Sequence, residues 1–88
     1  MLKNYEGDNM DFKIIFDDAN KKYISKKGQY GESWKNMILP ELRERLFEEI
    51  AEWEKSENLA DEYEELIDII NCSTMLAIKI RKEFIWEK

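Results

Sequence analysis

Apolar residues recur along the chain at helical spacing, and no segment shows the alternation typical of a β-strand. A first helix is predicted from about Asn9–Asp11 to Lys27, a second from Pro40 to about Lys55, and a third from Leu59 to the end of the chain. The apolar stripe of the first helix comprises Phe12, Ile15, Phe16, Ala19 and Tyr23, and that of the second comprises Leu42, Leu46, Ile50 and Trp53. The pattern therefore predicts an all-α protein.

Three segments interrupt these helices. Residues 1–8 are polar and are expected to form a flexible tail, which leaves residues 9–88 as a single helical domain. Residues 28–34, GQYGESW, follow the cationic end of the first helix and hold two of the three glycines, so they predict a loop. Residues 55–58, KSEN, are a short connection, as expected between antiparallel neighbouring helices.

The third helix is long and is apolar on two sides. One side carries Leu66, Ile67, Ile70, Ala77 and Phe84, and another carries Cys72, Met75 and Leu76. A helix of this extent is roughly 43 Å long at about 1.5 Å per residue, whereas a compact chain of this size has a radius of gyration near 12 Å. A helix that is apolar on two sides must be covered on both. We therefore expect an antiparallel helical bundle that is completed by oligomerisation, as a homodimer or a homotetramer.

Composition narrows the possible functions. The chain is 43% hydrophobic and 39% charged, with a net charge of −6, which disfavours a nucleic-acid polymer as partner. No apolar run is long enough to predict a leader or a membrane span, and the single cysteine, Cys72, fits a cytoplasmic protein. The absence of histidine excludes histidine-containing zinc sites and any histidine general base.

Two pairs of acids indicate a metal site. In LFEEIAEW the residues Glu49 and Glu52 are three apart, and in ELID the residues Glu65 and Asp68 are also three apart. Residues 53–64 are enough for a tight turn that brings the two pairs face to face. Converging carboxylates require a cation between them, and all-oxygen ligation favours Mg²⁺ or Mn²⁺.

The same acids also fit a different kind of protein. Acidic residues are so frequent between Glu41 and Asp68 that such spacings arise easily. On this alternative interpretation the chain is a non-catalytic helical dimerisation or interaction module with a solvated acidic face.

Three segments of the chain carry a resemblance to a known family. GESW before the second helix, LFEEIAEW within it and EELIDIIN in the third resemble the all-α nucleoside-triphosphate pyrophosphohydrolases of the MazG type, over about Gln29–Lys82. The resemblance implies hydrolysis of NTP or dNTP to the monophosphate and pyrophosphate, with Mg²⁺, or Mn²⁺ in its place, as cofactor. Relatives are typically dimers or tetramers built around a four-helix bundle; a separate fourth helix would require the third helix to break near Asn71–Thr74. The resemblance places the metal ligands at Glu49, Glu52, Glu65 and Asp68, and the leading acid of the first motif at Glu48.

The expected mechanism is attack by a metal-activated water on phosphorus, with Glu48 or Glu52 orienting the water. The catalytic residues expected are thus Glu48, Glu49 and Glu52. The substrate-binding residues expected are Trp34 and Tyr30, which would stack on the base, Asn71, which would bind sugar or phosphate, and Lys79, which would balance the triphosphate charge. Two of these residues have a structural alternative: Trp34 also fits a buried anchor, and Asn71 also fits a partly buried polar residue.

The role of the lysines beside the loop and the identity of the substrate both stay open. Lys26, Lys27 and Lys35 flank the loop and would attract phosphates, although solvated lysines are the commoner case. The fold would also suit a phosphoribosyl-ATP-type substrate, or a degenerate site that binds nucleotide without turnover.

Overall fold

The computed structural model describes residues 2–30 and 32–86, with side chains described for residues 8–27 and 32–84. Over this range the chain contains three α-helices and no β-strand: α1 spans Leu2–Tyr30, α2 spans Leu39–Glu54 and α3 spans Leu59–Ile80. A short 3₁₀ helix, Ser33–Asn36, precedes α2, and a π-helical segment, Arg81–Trp86, continues α3. The prediction of an all-α protein is confirmed.

The starts of α2 and α3 follow from local chemistry and lie where the sequence predicted them. Pro40 lies in the first turn of α2, and the backbone amide of Ile38 donates a hydrogen bond of 3.1 Å to the Glu41 carboxylate. The side chain of Asn58 caps α3 by accepting a 2.8 Å hydrogen bond from the Asp61 amide. The four-residue connection 55–58 therefore separates two well-capped helices.

The prediction for α1 was wrong at both ends. The helix begins at Leu2 instead of Asn9–Asp11, so the segment expected as a tail is helical from Leu2 onward. It also continues beyond Lys27 through Gly28 to Tyr30, which shortens the predicted loop 28–34. A single glycine costs a helix only about 1 kcal/mol relative to alanine, and neighbouring residues can outweigh that.

The prediction for the third helix holds over most of its length. α3 runs without a break through 71–74, where the hydroxyls of Ser73 and Thr74 donate hydrogen bonds of 2.7 and 2.6 Å to the carbonyls of Ile69 and Ile70 one turn earlier. Among the described residues no separate fourth helix follows. Beyond Ile80 the backbone changes to π-helical geometry, so the continuous α-helix predicted to the chain end was wrong there.

α3 packs against both α2 and α1 and thereby holds the three helices together. The indole of Trp53 near the end of α2 donates a 3.1 Å hydrogen bond to Glu62 near the start of α3, as expected for antiparallel neighbours. α1 meets α3 through a hydrogen bond from the Tyr63 hydroxyl to Asp18, and through one of 3.0 Å from the Asn71 side chain to the Ala19 carbonyl. The second half of α1 is therefore attached to the middle of α3.

Little of the apolar surface is covered within one chain. The radius of gyration is 15.0 Å, compared with about 12 Å for a compact chain of this length. Among described residues, the buried apolar side chains are Ala19, Trp34, Leu42, Ile67 and Cys72. Large apolar side chains of α1 remain exposed, namely Met10, Phe12, Ile14, Phe16 and Ile24. Despite these side chains, no helix in the described part of the chain is long and apolar enough to cross a membrane.

We expect Leu42→Ala to lower the free energy of unfolding by about 2–5 kcal/mol, because it leaves a cavity at a fully buried position. Leu42 is 1% exposed, whereas Leu59 is 82% exposed. Leu59→Ala makes the same chemical change and should cost less than about 1 kcal/mol. Urea unfolding followed by circular dichroism measures both, and equal losses would contradict the packing described here.

Candidate metal centre

Three carboxylates meet where α2 faces α3. Glu49, Glu65 and Asp68 each place an oxygen atom so that all three lie within 4.8 Å of one another. Glu65 and Asp68 are one turn apart on α3, and the antiparallel pairing places Glu49 of α2 opposite them. All three side chains are half-buried. The structure thus brings together three of the four residues expected as metal ligands.

The other two acids of the first motif lie outside this carboxylate group. Glu52 is exposed and contributes no oxygen to it, although it is one turn from Glu49. Glu48 is also exposed and lines a surface depression with Glu41 and Glu44, which Glu49 lines as well. Both acids therefore belong to the same helix as Glu49 without joining its carboxylate group.

Two lysines of α1 supply positive charge to the carboxylate group. The ammonium of Lys22 lies 3.1 Å from Asp68 Oδ1 and 3.0 Å from Glu64 Oε2. The ammonium of Lys26 lies 3.1 Å from the same oxygen of Asp68. Because Lys22 and Lys26 are one turn apart, they present both charges on the same side of α1.

These charges, together with burial, shift the pKa values of Glu49 and Lys22. Burial raises the pKa of Glu49, and the negative charges of Asp68 and Glu65 raise it further, while Lys26 and Arg45 act in the opposite direction. Burial lowers the pKa of Lys22, but its hydrogen bonds to Glu64 and Asp68 outweigh burial, and the pKa is raised overall. The ammonium of Lys22 is therefore stabilised by its acidic partners, whereas the negative form of Glu49 is disfavoured by its surroundings.

A small cavity opens beside the carboxylates. Its volume is about 60 Å³, and its lining includes Glu49, Asp68, Lys26, Trp34 and Asn71. The Trp34 indole is buried and donates a 3.1 Å hydrogen bond to the Tyr23 hydroxyl, which anchors the 3₁₀ helix to α1. Such a volume holds a few water-sized groups, as a hydrated ion or one phosphate requires. Two residues expected to bind substrate, Trp34 and Asn71, are thus placed next to the carboxylates.

A larger, mostly apolar cavity adjoins the first one. Its volume is about 450 Å³, and it shares Trp34 and Asn71 with the smaller cavity. Phe16, Ile70 and Ile78 contribute its apolar walls. The two cavities together offer a charged compartment and an apolar compartment with four lining residues in common, Trp34 and Asn71 among them.

Of the two remaining residues expected to bind substrate, the one whose side chain is described does not join this arrangement. Lys79 donates hydrogen bonds to the backbone carbonyls of Lys35, at 2.9 Å, and of Met37, so it fastens the 3₁₀ helix to α3. The side chain of Tyr30 lies outside the described residues. Glu32 directly precedes the 3₁₀ helix and accepts hydrogen bonds from Lys35 and Lys27. These hydrogen bonds lower the pKa of Glu32 to about 2.

The structure adds residues that the sequence pattern had not assigned to the site. Lys22, Arg45 and Tyr23 lie around the carboxylates or their cavity. The spacing of Lys22 and Lys26 marks one side of α1, but nothing in the spacing says which helix faces that side.

The ligand atoms that the site offers are of the type preferred by the cation that the sequence implies. Carboxylate oxygens from two helices suit a hard divalent ion such as Mg²⁺ or Mn²⁺. Cys72 lines the cavity, but burial raises the pKa of its thiol, and the neutral thiol is not a competing ligand. The residues present therefore fit Mg²⁺ or Mn²⁺ in preference to zinc.

We expect Glu49→Gln to stabilise the metal-free protein at pH 7. A carboxyl whose pKa is raised by folding binds more protons in the folded chain. Its ionisation therefore lowers the free energy of unfolding as pH rises from the unfolded pKa, about 4.3, through the higher folded value. Urea unfolding in EDTA should show a higher midpoint than wild type at pH 7, and a smaller difference near pH 4.

Glu48→Gln is the matched control for this prediction, because it makes the same change at an exposed neighbour outside the carboxylate group. An equal rise in both variants, or no rise in Glu49→Gln, would contradict the placement of Glu49 among like charges.

Comparison of this chain with family models, with curated proteins and with solved structures finds no match in any of the three. The resemblance in GESW, LFEEIAEW and EELIDIIN therefore stays an expectation.

Proposed function

We propose that this protein is a Mg²⁺-dependent nucleoside-triphosphate pyrophosphohydrolase, which converts an NTP or dNTP into the monophosphate and pyrophosphate. Mn²⁺ is the natural substitute ion. The observation that carries the proposal is the group of Glu49, Glu65 and Asp68 oxygens within 4.8 Å of one another. Two of these acids, Glu49 and Asp68, line a cavity that Trp34 and Asn71 also line. Acids, an aromatic ring and an amide are the side chains needed to hold a metal, a base and a sugar or phosphate.

The negative charges of the site determine where a cation has to bind. A triphosphate is repelled by three carboxylates unless a cation lies between them, so Glu49, Glu65 and Asp68 are the proposed ligands of that cation. When bound, Mg²⁺ polarises the phosphate oxygens and neutralises the leaving pyrophosphate. Glu52 and Glu48 are exposed residues of the helix that carries Glu49, and they remain the two candidates for orienting the attacking water.

The remainder of the nucleotide requires the second cavity. A volume of about 60 Å³ accommodates phosphate but not a nucleoside, whereas the adjoining volume of about 450 Å³ is large enough for one. Trp34 lines both and offers an aromatic surface next to a base. Asn71 uses one amide hydrogen to bind the Ala19 carbonyl, which orients its side chain between the two cavities.

The proposal includes a homodimer or homotetramer. Its support is the exposed apolar surface of α1, together with Leu66 of α3, Phe84 of the π-helical segment and a radius of gyration of 15.0 Å. We expect sedimentation equilibrium at micromolar concentration to give a mass of two or four chains. A single-chain mass of 10.7 kDa would contradict this part of the proposal.

A non-catalytic helical interaction module is the second candidate, and one observation favours it. Lys22 and Lys26 already neutralise Asp68 within the chain, so the carboxylate group does not depend on a metal for its charge balance. The exposed apolar side chains would then serve partner binding alone.

Product analysis separates the two candidates. The purified protein is incubated with a panel of NTPs and dNTPs and Mg²⁺, and monophosphate and pyrophosphate are measured by ion-exchange chromatography. Equal amounts of the two products are expected for the active substrates. Diphosphate and orthophosphate would indicate cleavage at the other anhydride bond, and no turnover with any nucleotide would favour the interaction module.

We expect Glu49→Gln and Asp68→Asn each to reduce kcat/KM by at least about 100-fold, because each removes a proposed metal ligand. Glu57→Gln is the control: it removes one negative charge from an exposed position in the connection between α2 and α3. Circular dichroism should show unchanged helicity in all three variants. Wild-type rates in both ligand variants would contradict the site.

A further inference from the structure

Two ammonium groups converge on one oxygen atom of Asp68. Lys22 Nζ and Lys26 Nζ each lie 3.1 Å from Asp68 Oδ1, and the Asp68 side chain is only 15% exposed. A carboxylate so placed is already paired with cations contributed by α1. A divalent ion that used Asp68 as a ligand would enter a position where positive charge is present, and the charges would repel each other.

The two lysines are held differently. Lys22 is 20% exposed and has two contacts besides Asp68, namely the Glu64 carboxylate at 3.0 Å and the Glu64 backbone carbonyl at 3.0 Å. Lys26 is 46% exposed, and its hydrogen bond in the described structure is to Asp68. Lys22 therefore remains attached to α3 if Asp68 changes partner, whereas Lys26 is released.

The cavity distinguishes the two lysines in the same way. Lys26 lines the small cavity together with Glu49 and Asp68. Lys22 instead lines a depression on the other side, with Asp18 and Tyr63. A released Lys26 ammonium is thus next to the space in which a phosphate would lie, and its side chain is exposed enough to change rotamer there.

We propose that Lys26 is an exchangeable cation of this site: it pairs with Asp68 in the metal-free protein, yields Asp68 to the divalent ion, and then binds a phosphate group of the substrate. This inference rests on the metal site of the proposed function. Lys26 would hold the carboxylates together before loading, oppose premature metal binding and contribute a charge-assisted hydrogen bond to phosphate afterwards. Lys22 has a different role, because it ties α1 to α3 in both states.

If Lys26 exchanges partners in this way, Lys26→Gln should strengthen metal binding and weaken pyrophosphate binding. Free Mn²⁺, measured by electron paramagnetic resonance without nucleotide, should show affinity about two- to fivefold tighter than wild type, because the competing ion pair is gone. Inorganic pyrophosphate, titrated calorimetrically at saturating Mg²⁺, should bind about tenfold or more weakly, because a charged hydrogen bond is lost. Lys26→Arg keeps the charge and should restore most of both properties.

Lys13→Gln is the matched control. It removes the same charge from an exposed ion pair with Asp17 on α1, about 20 Å along the helix from Lys26. It should change neither affinity at the same ionic strength.

The outcomes separate this inference from the proposed function. If wild type fails to bind Mn²⁺, the metal site is wrong and the exchange is wrong with it. If wild type binds Mn²⁺ but Lys26→Gln leaves either affinity unchanged, only the exchange is overturned, and Lys26 is a structural tether like Lys22. An equal effect from Lys13→Gln would also overturn it, because net charge alone would then explain the change.

Discussion

Repulsion among carboxylates is the constraint on which this structure depends. Glu49, Glu65 and Asp68 approach within 4.8 Å across the α2–α3 interface, in half-buried positions where water screens them poorly. Such an arrangement persists only with positive charge beside it. In the single chain that charge comes from Lys22 and Lys26 of α1, while Arg45 of α2 also acts on Glu49. The position of α1 and the state of the carboxylates are therefore linked.

α3 connects the fold to the site because it contacts both other helices. Ile67 is buried between its neighbours, and the next residue, Asp68, belongs to the carboxylate group. Ala19 is small enough for α1 to approach α3 closely, which lets the Asn71 side chain reach the Ala19 carbonyl. Packing thus places the polar residues without any long loop. The few buried side chains leave the outer surfaces of α1 and α3 for a partner.

Helices whose limits depend on local chemistry were predictable. Pro40 and Asn58 mark the starts of α2 and α3 to within a residue, because a missing amide proton and a side-chain cap act on the adjacent turn alone. The limits of α1 were not predictable in this way. Gly28 reads as a terminator, but its cost is small, and the helix continues past it to Tyr30. The pairing of α2 with α3 followed from the short connection 55–58, which permits little else.

The residues of the carboxylate group were likewise predictable only in part. Spacing of three along a helix necessarily puts Glu65 and Asp68 on one ridge, and the antiparallel hairpin brings Glu49 opposite, so these three were recognisable from residue order. The same spacing selected Glu52, which lies outside the group, because spacing does not specify how far a helix is rotated about its own axis. Nor does spacing specify what lies across the site from another helix. The contacts of Lys22 and Lys26 with the site, and those of Lys79 with the 3₁₀ helix, depend on how α1 and its following turn cross α3. That crossing is decided by contacts between residues some forty or more positions apart. Periodicity thus specifies the ridges of each helix, whereas the packing of side chains on three helices together specifies which charges meet.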